Sequence, residues 1–252
     1  MKMASLAIAA TVLCGTGFLA GLAQAAEIKV LGTPAVRELY AELVPQFEQA
    51  TGHKVTTVWA GTVDVMKRMG GGEAVDLVIM ARKSLDELTR QGKIVADSRV
   101  DVARSGVGIA VRAGAPKPDI SSGEAVKKAL LAAKSIAYSS GPSGVYIAGL
   151  VQRMGIADQI KSKMKQIPPG EAVGELVARG DAEIGFHQVS ELLPIKGIDI
   201  VGPLPPDIQE ITVFSAGIHT SATQADAAKA LAAFLTAPAA APMIKKHGMD
   251  PG

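Results

Sequence analysis

Cysteine is almost absent from this chain. Of 252 residues only Cys14 is a cysteine, and it lies in the apolar N-terminal run. Once that run is removed, the remaining protein has no disulfide, no thiol nucleophile and no cysteine metal site. The four histidines, His53, His187, His219 and His247, lack the spacing of metal ligands. The sequence therefore predicts neither a metal site nor an organic cofactor.

The chain also lacks an excess of charge of either sign and, beyond its N-terminus, any long apolar run. It contains 26 Lys and Arg against 24 Asp and Glu, with no basic block of the kind that binds nucleic acid. No stretch after residue 26 is long and apolar enough to predict a membrane span. We therefore expect a monomer that binds no nucleic acid and is soluble after its N-terminal segment is removed.

Residues 1–26 have the pattern of a secretory signal peptide. Lys2 precedes a run of small apolar residues, and the segment 23–25 (AQA) forms a small-x-small cleavage site. An uncleaved anchor is disfavoured because the run is short, is interrupted by glycine and is followed by no stop-transfer charges. A lipid-anchored Cys14 is disfavoured because the bulky Leu13 stands where a small residue is expected. We expect export to the periplasm, with about 227 residues left, enough for one large domain or two small ones.

The mature chain alternates between predicted strands and predicted helices. Short β-branched and apolar runs predict strands, and longer segments with apolar residues at helical spacing predict helices. Because strand and helix alternate, the chain is expected to form parallel sheets with right-handed crossovers. The predicted strands are 27–31, 53–59, 75–80, 107–111, 135–138, 183–186, 198–201 and 211–218, and the predicted helices are 35–50, 63–69, 85–91, 123–133, 145–154, 156–163, 171–179 and 223–235.

The pattern predicts two lobes. The chain crosses from one α/β region to the next near residues 102–111 and returns near residues 203–218. Two lobes joined by two strands form a hinge, and the cleft between such lobes is where ligands bind. The predicted first lobe is 27–105 plus 206–252, and the predicted second lobe is 106–205.

Hydroxyl side chains follow several of the predicted strands. In open parallel sheets, ligands bind outside the carboxyl ends of the strands. A helix that begins there offers free N–H groups and a dipole that favours negative charge. Each hydroxyl alone can be a helix cap, but several on one sheet edge predict an anion site. The candidate ligand-binding hydroxyls are Thr33, Thr62, Ser139, Ser140 and Ser143, the last three within the segment 138–146 (YSSGPSGVY).

Several features resemble the periplasmic molybdate-type solute-binding proteins of ABC transporters. They are the signal peptide, Gly32-Thr33, the segments 59–62 (WAGT) and 74–79 (AVDLVI), and the late return strand. The resemblance implies an α/β, two-lobed type II periplasmic binding protein fold, in which each lobe is a mainly parallel sheet flanked by helices. It also implies that a small oxyanion or carboxylate binds in the cleft and that an ABC permease is the partner. Thr33 and Thr62 match the hydroxyl positions of this family.

Three side chains depart from the neutral, hydroxyl-lined site that the resemblance implies. Arg82 directly follows the strand 75–80, and its guanidinium fork suits a carboxylate. His187 ends the strand 183–186, Tyr146 opens a helix, and both side chains are titratable. Each has a plainer interpretation: Arg82 as a solvated turn residue, His187 as a structural histidine and Tyr146 as core packing. Together they favour an organic anion with more than one carboxylate.

The second half of the chain is similar to aconitate isomerase, a periplasmic enzyme on the same scaffold. This resemblance implies a cofactor-free shift of a double bond between trans- and cis-aconitate. His187 and Tyr146 would then be the catalytic acid and base, Arg82 would hold one carboxylate, and the serines would bind the others. The similar segments are 97–101 (DSRVD), 114–121 (GAPKPDIS), 137–139 (AYS), 143–146 (SGVY), 177–180 (VARG), 188–192 (QVSEL) and 197–202 (GIDIVG).

The sequence thus predicts a transport receptor, with the isomerase as the alternative. A receptor needs only a hinge and contacts to the anion from both lobes. Hydrolysis by a serine nucleophile is disfavoured, because the segment 140–144 (SGPSG) is not the Gly-x-Ser-x-Gly turn of such enzymes.

Overall fold

The structure is a computed structural model that describes residues 25–168 and 171–252. All but the last two residues of the predicted signal peptide lie outside the described residues. The strands are β1 (Glu27–Gly32), β2 (Lys54–Trp59), β3 (Leu77–Ala81), β4 (Val100–Arg112), β5 (Ile136–Tyr138), β6 (Met164–Gln166), β7 (Ile184–Gln188), β8 (Ile198–Pro203), β9 (Ile211–Ile218) and β10 (Asp250–Pro251). The α-helices are α1 (Arg37–Thr51), α2 (Thr62–Gly70), α3 (Arg82–Arg90), α4 (Gly123–Ala132), α5 (Pro142–Arg153), α6 (Ala157–Ile160), α7 (Val173–Arg179), α8 (Val189–Leu192), α9 (Ala225–Leu235) and α10 (Ala241–Lys246).

The first lobe is built on β1, β2 and β3. β1 lies between β2 and β3 and runs parallel to both. All five residues of β3 are buried, as expected for a strand that is covered by helices on both faces. β9 then pairs antiparallel with β3, and β4 pairs antiparallel with β9. The sheet of this lobe is therefore mixed, with three parallel strands followed by antiparallel strands.

The second lobe repeats this arrangement. β5 lies between β6 and β7 and runs parallel to both, and β4 pairs antiparallel with β7 and with β8. The three parallel strands again carry the helical crossovers, and the antiparallel strands are the ones that connect the lobes. The two sheets share β4 and form one continuous path of strands.

The long strand β4 joins the two lobes. Its residues up to Gly106 pair with β9, and its residues from Val107 onward pair with β7 and β8. The chain returns to the first lobe through residues 204–210, which include the 3-10 turn Pro206–Ile208. The division at residues 105/106 and 205/206 stays a prediction.

Each lobe has its own apolar core. In the first lobe, α1 and α9 pack on the sheet around Phe47, Phe214 and Leu231. In the second lobe, α4 and α5 pack on the sheet around Phe186, Ile147 and other aliphatic residues. No single helix among the described residues has the length and apolarity to cross a membrane; only the bent pair Ala225–Leu235 and Pro238–Lys246 meets that test together.

Each predicted strand and helix is present at or near its predicted range. The prediction missed β6, α8, α10 and β10, which are between two and six residues long. Periodicity needs a longer segment than these to be visible. The omission of α8 has the largest consequence, because this helix carries a residue of the candidate site.

Candidate functional site

A cavity of about 380 Å³ lies between the two lobes, and we call it the cleft. Its walls include residues at the carboxyl ends of β1 and β2 in the first lobe and of β5 and β7 in the second. This is the edge where open α/β sheets bind ligands. The lining residues include Thr33, Arg37, Glu38, Trp59, Gly61, Thr62, Ser139, Ser140, Gly141, Ser143, Glu171, Glu175, His187, Ser190, Glu191 and Phe214.

The wall from the second lobe is the turn from β5 into α5. Ser139 and Ser143 are buried, and their hydroxyl oxygens lie 3.3 Å apart. The Ser139 hydroxyl also accepts a hydrogen bond from the Gly141 amide at 3.2 Å. Pro142 opens α5, so the first free amides of the helix belong to Ser143 and Gly144. This turn can therefore offer hydroxyls, amides and the positive end of a helix dipole to an anion.

The opposite wall, from the first lobe, contributes two threonines. Thr33 follows β1, is only 4% exposed, and its Oγ1 has no hydrogen-bond partner among the described residues. Thr62 is the first residue of α2. A buried hydroxyl without a partner costs free energy, so such a group in a cavity wall is a candidate ligand contact.

Arg37 is the only Arg or Lys among the described residues that line the cleft. It is the first residue of α1, and it makes no ion pair with any residue in the described part of the chain. Its guanidinium lies over the Trp59 ring, 5.7 Å from the centroid. Trp59 in turn contacts the edge of Tyr40, with centroids 5.2 Å apart. The aromatic surface stabilises the cation without neutralising it, so its N–H groups remain available to an anion.

A histidine and a glutamate lie side by side on the second lobe. His187 is in β7 and is 6% exposed, and its Nδ1 has no hydrogen-bond partner among the described residues. Its Nε2 lies 3.5 Å from Oε2 of Glu191, which is on α8 one helical turn further along. Burial raises the pKa of the Glu191 carboxyl, and the nearby His187 and Arg37 act in the opposite direction. The pair can hold or release a proton inside the cleft.

The structure brings together six of the eight residues singled out in the sequence. Thr33, Thr62, Ser139, Ser140, Ser143 and His187 all line the cleft.

Arg82 is not among the lining residues. It begins α3, and its guanidinium forms a two-pronged ion pair with Asp101 on β4. The same carboxylate accepts a hydrogen bond from Ser215 on β9 at 2.7 Å. Because Asp101 holds the arginine on the first lobe, Arg82 is not placed as the carboxylate clamp that the sequence predicted.

Tyr146 is not among the lining residues either. Its hydroxyl donates to the Ile208 carbonyl at 2.5 Å, and Arg153 lies over its ring. The ring packs against the apolar core of the second lobe. The plainer interpretation of Tyr146 as a packing residue therefore fits the structure better than a catalytic one.

Sequence reasoning missed Arg37, Trp59 and Glu191. Arg37 lies in the same strand-to-helix connection as Thr33, four residues later. Trp59 ends a predicted strand and precedes Thr62. Glu191 lies on α8, the four-residue helix that directly follows the strand of His187, and α8 was not predicted.

Thr33→Val tests whether the unpartnered hydroxyl is a ligand contact. Because the hydroxyl has no partner, we expect the ligand-free protein to keep or gain stability, by up to about 1–3 kcal/mol. Affinity for the anion should fall about tenfold or more, since a hydrogen bond to a charged group contributes about 1.5–3 kcal/mol. Melting curves and ligand titrations would measure both.

Thr57→Val is the matched control. The Thr57 hydroxyl donates to Tyr40 at 2.9 Å and does not line the cleft. This variant should lose stability and keep its affinity. If Thr33→Val lost stability and kept its affinity as well, Thr33 would be a structural residue only.

Comparison with known proteins agrees with the architecture. The bacterial extracellular solute-binding protein family matches residues 28–250. An aconitate isomerase from Pseudomonas sp is 37% identical over 256 residues, or 99% of this chain and 97% of the relative. A molybdate-binding protein from Azotobacter vinelandii is 31% identical over 242 residues, or 93% and 94%. The solved periplasmic molybdate-binding protein of Azotobacter vinelandii has a TM-score of 0.73 at 22% identity, over 88% of this chain and 98% of that one.

These similarities extend over both lobes rather than over a single motif. They confirm the two-lobed, type II periplasmic binding protein fold that the sequence predicted. The chain therefore belongs to the bacterial extracellular solute-binding protein family.

Proposed function

We propose that this protein is a periplasmic receptor that binds a small organic anion with more than one carboxylate in the cleft. The observation that carries the proposal is Arg37, a guanidinium that has no ion-pair partner among the described residues and that lines a cavity rich in hydroxyls. An arginine fork binds a carboxylate through two parallel hydrogen bonds. The hydroxyls and free amides of the α5 turn suit a second carboxylate.

The size of the cleft also favours an extended anion over a tetrahedral one. Its volume of about 380 Å³ lies within the range of roughly 300–1,000 Å³ that is typical of small-molecule sites. A tricarboxylate of six carbons fills such a space better than a single four-oxygen anion does. Contacts from both lobes would stabilise the closed form, which is the form a receptor presents to its transporter.

The family and the N-terminal sequence support the proposed location and the proposed partner. The signal-peptide pattern of residues 1–26 supports export to the periplasm. An inner-membrane ABC permease is the expected partner, and the receptor is expected to act as a monomer.

The second candidate function is isomerisation of aconitate, and His187 beside Glu191 is the observation that favours it. A shift of the double bond removes a proton from one carbon and returns a proton to another. His187 can accept and return that proton, while Arg37, the serines and the amides hold the carboxylates and the developing negative charge. Similarity to the Pseudomonas aconitate isomerase over both lobes supports this candidate.

Thermal unfolding with a panel of anions tests the proposed function. The panel is molybdate, tungstate, sulfate, citrate, cis-aconitate and trans-aconitate. An anion at about a hundred times its dissociation constant should add about 2.7 kcal/mol, which is several degrees for a chain of this size. We expect the shift with tricarboxylates. A shift with molybdate or tungstate alone would contradict the proposal.

Proton NMR of the same samples separates the receptor from the enzyme. A receptor returns trans-aconitate unchanged, whereas an isomerase converts it to the cis form. If conversion occurs, His187→Gln should abolish it, since no other imidazole lines the cleft among the described residues. Tyr146→Phe is the control: it should lower stability by losing the bond to Ile208 and leave conversion in place.

A further inference from the structure

We propose that Glu191 is a ligand-binding residue that acts as a neutral carboxylic acid, so that the cleft takes up a proton together with its anion. This inference rests on the proposed function and concerns the same cleft. It assigns to Glu191 a specific role in selecting a carboxylate ligand.

Glu191 is an unexpected residue in the wall of an anion site. Its side chain is 16% exposed and lies beside His187, whose Nε2 is 3.5 Å away. An ionised carboxylate at this place would repel a bound anion at close range. The other charged groups that face the cleft are Arg37 and Glu38 from α1, Glu175 from α7, and Glu171 from the segment before α7.

A count of these charges shows why a proton is needed. Among the described lining residues, Arg37 is the one Arg or Lys, against four glutamates. Glu171 and Glu175 are exposed, so water screens them, whereas Glu191 is largely shielded from solvent. Arg37 cannot neutralise both Glu191 and a carboxylate of the ligand. When the Arg37 guanidinium binds a carboxylate of the ligand, the ionised Glu191 still repels that ligand. Protonation of Glu191 removes this repulsion.

Opposing effects act on the Glu191 carboxyl before any ligand binds. Burial raises the pKa of this carboxyl, while His187 and Arg37 hold it down. A bound polyanion adds negative charge and engages Arg37, so both changes raise the pKa further. The protonated carboxyl can then donate a short O–H···O hydrogen bond to a carboxylate of the ligand. Such charge-assisted bonds are among the stronger hydrogen bonds in proteins. The residue that would repel an anion becomes a donor to it.

Isothermal titration calorimetry with trans-aconitate measures the proton directly. This ligand is fully ionised at neutral pH, so it does not itself supply the proton. Titrations in Bis-Tris and in Tris, two amine buffers whose ionisation enthalpies differ, give the number of protons taken up. We expect uptake approaching one proton per ligand, and an affinity that falls by up to about tenfold per pH unit between pH 6 and 8.

Glu191→Gln provides the decisive variant. The glutamine amide is a permanent neutral donor of similar shape, so proton uptake should disappear. The affinity should become independent of pH and should exceed that of the wild-type protein at pH 8 by about tenfold, the effect of one linked proton over one pH unit. A residue with a structural role only would show none of these changes in proton count.

Glu175→Gln controls for the loss of one negative charge. Glu175 is exposed and lines the same cleft, so this variant should retain the full proton uptake. Two outcomes would overturn the assignment: trans-aconitate binding without proton uptake, or uptake that survives in Glu191→Gln and is lost in His187→Gln. Either outcome leaves the receptor function standing. Failure of every carboxylate to bind the wild-type protein would instead overturn the proposed function and the proton uptake together.

Discussion

Replacing Arg37 with glutamine is expected to weaken carboxylate binding about ten- to a hundredfold. This range corresponds to the roughly 1.5–3 kcal/mol that a hydrogen bond to a charged group contributes. Among the described residues Arg37 is the only Arg or Lys that lines the cleft, and no described side chain could replace it. Because it starts α1 and points over Trp59 rather than into the core, its removal should change stability little.

Trp59 provides a direct measurement of this effect. It is the single tryptophan of the whole protein, and its ring lies 5.7 Å from the Arg37 guanidinium. A ligand that engages Arg37 will change the electrostatic surroundings of the indole, so intrinsic fluorescence should report binding without a label. In Arg37→Gln the fluorescence change should require correspondingly higher ligand concentrations.

Arg82→Gln is the matched control for Arg37→Gln. Arg82 pairs with Asp101 on a strand that joins the two lobes, and it does not line the cleft. Its loss leaves the Asp101 carboxylate with the Ser215 hydroxyl as its one side-chain partner in the described part of the chain, so the melting temperature should fall while the affinity stays the same. If Arg82→Gln lost affinity and Arg37→Gln kept it, the original sequence prediction would be right and the assignment of Arg37 wrong.

The contrast between these two arginines shows where sequence reasoning reaches its limit. Both follow a strand of the first lobe, and both were equally visible in the sequence. Their roles differ because Asp101, 19 residues beyond Arg82, is brought next to it by the antiparallel pairing of β4 with β9. Nothing in local periodicity reveals that pairing, whereas the strand-to-helix position of the hydroxyls follows directly from the parallel βα units.

The difference between local and long-range contacts also explains why the sequence placed Tyr146 in the site and missed Glu191. The positions of Ser139 and Ser143 in the cleft wall were predictable because open parallel sheets bind ligands where a strand ends and a helix begins. The Tyr146 hydroxyl donates a hydrogen bond to the carbonyl of Ile208, which lies 62 residues further along the chain. Local sequence gives no sign of this contact. Glu191 meets His187 only because residues 189–192 form one helical turn, which is too short to give a periodic signal.

The second large effect is expected for Gly144→Ala. A Cβ built at Gly144 would lie 1.6 Å from the Ser139 carbonyl oxygen and 2.5 Å from its carbonyl carbon. Real Cβ atoms do not approach a backbone this closely, so the turn between β5 and α5 has to move by more than 1 Å. That movement displaces the Ser139 hydroxyl and the free amides at the start of α5, which form the proposed anion-binding wall of the second lobe.

We therefore expect Gly144→Ala to lower both stability and affinity. Overpacking of this kind costs about 1–3 kcal/mol, or roughly 2–12 °C in melting temperature for a chain of this length. The affinity for a carboxylate ligand should fall at least about tenfold, since several hydrogen bonds of one wall are displaced together. Melting curves should show a lower melting temperature for the ligand-free variant and a smaller increase in melting temperature when ligand is added.

Gly149→Ala, on the same helix, separates a local clash from a general effect of alanine. The nearest atom to a Cβ at Gly149 is Nη1 of Arg153 at 3.3 Å, the end of a flexible side chain that can move aside. Alanine stabilises a helix interior relative to glycine by about 0.5–1 kcal/mol, so this variant should melt at a higher temperature and bind normally. The two substitutions are chemically identical and lie five residues apart, yet their effects should have opposite signs. If Gly144→Ala bound as tightly as Gly149→Ala, the close approach of Ser139 to α5 would not be what positions the anion, and the second wall of the cleft would have to be reassigned.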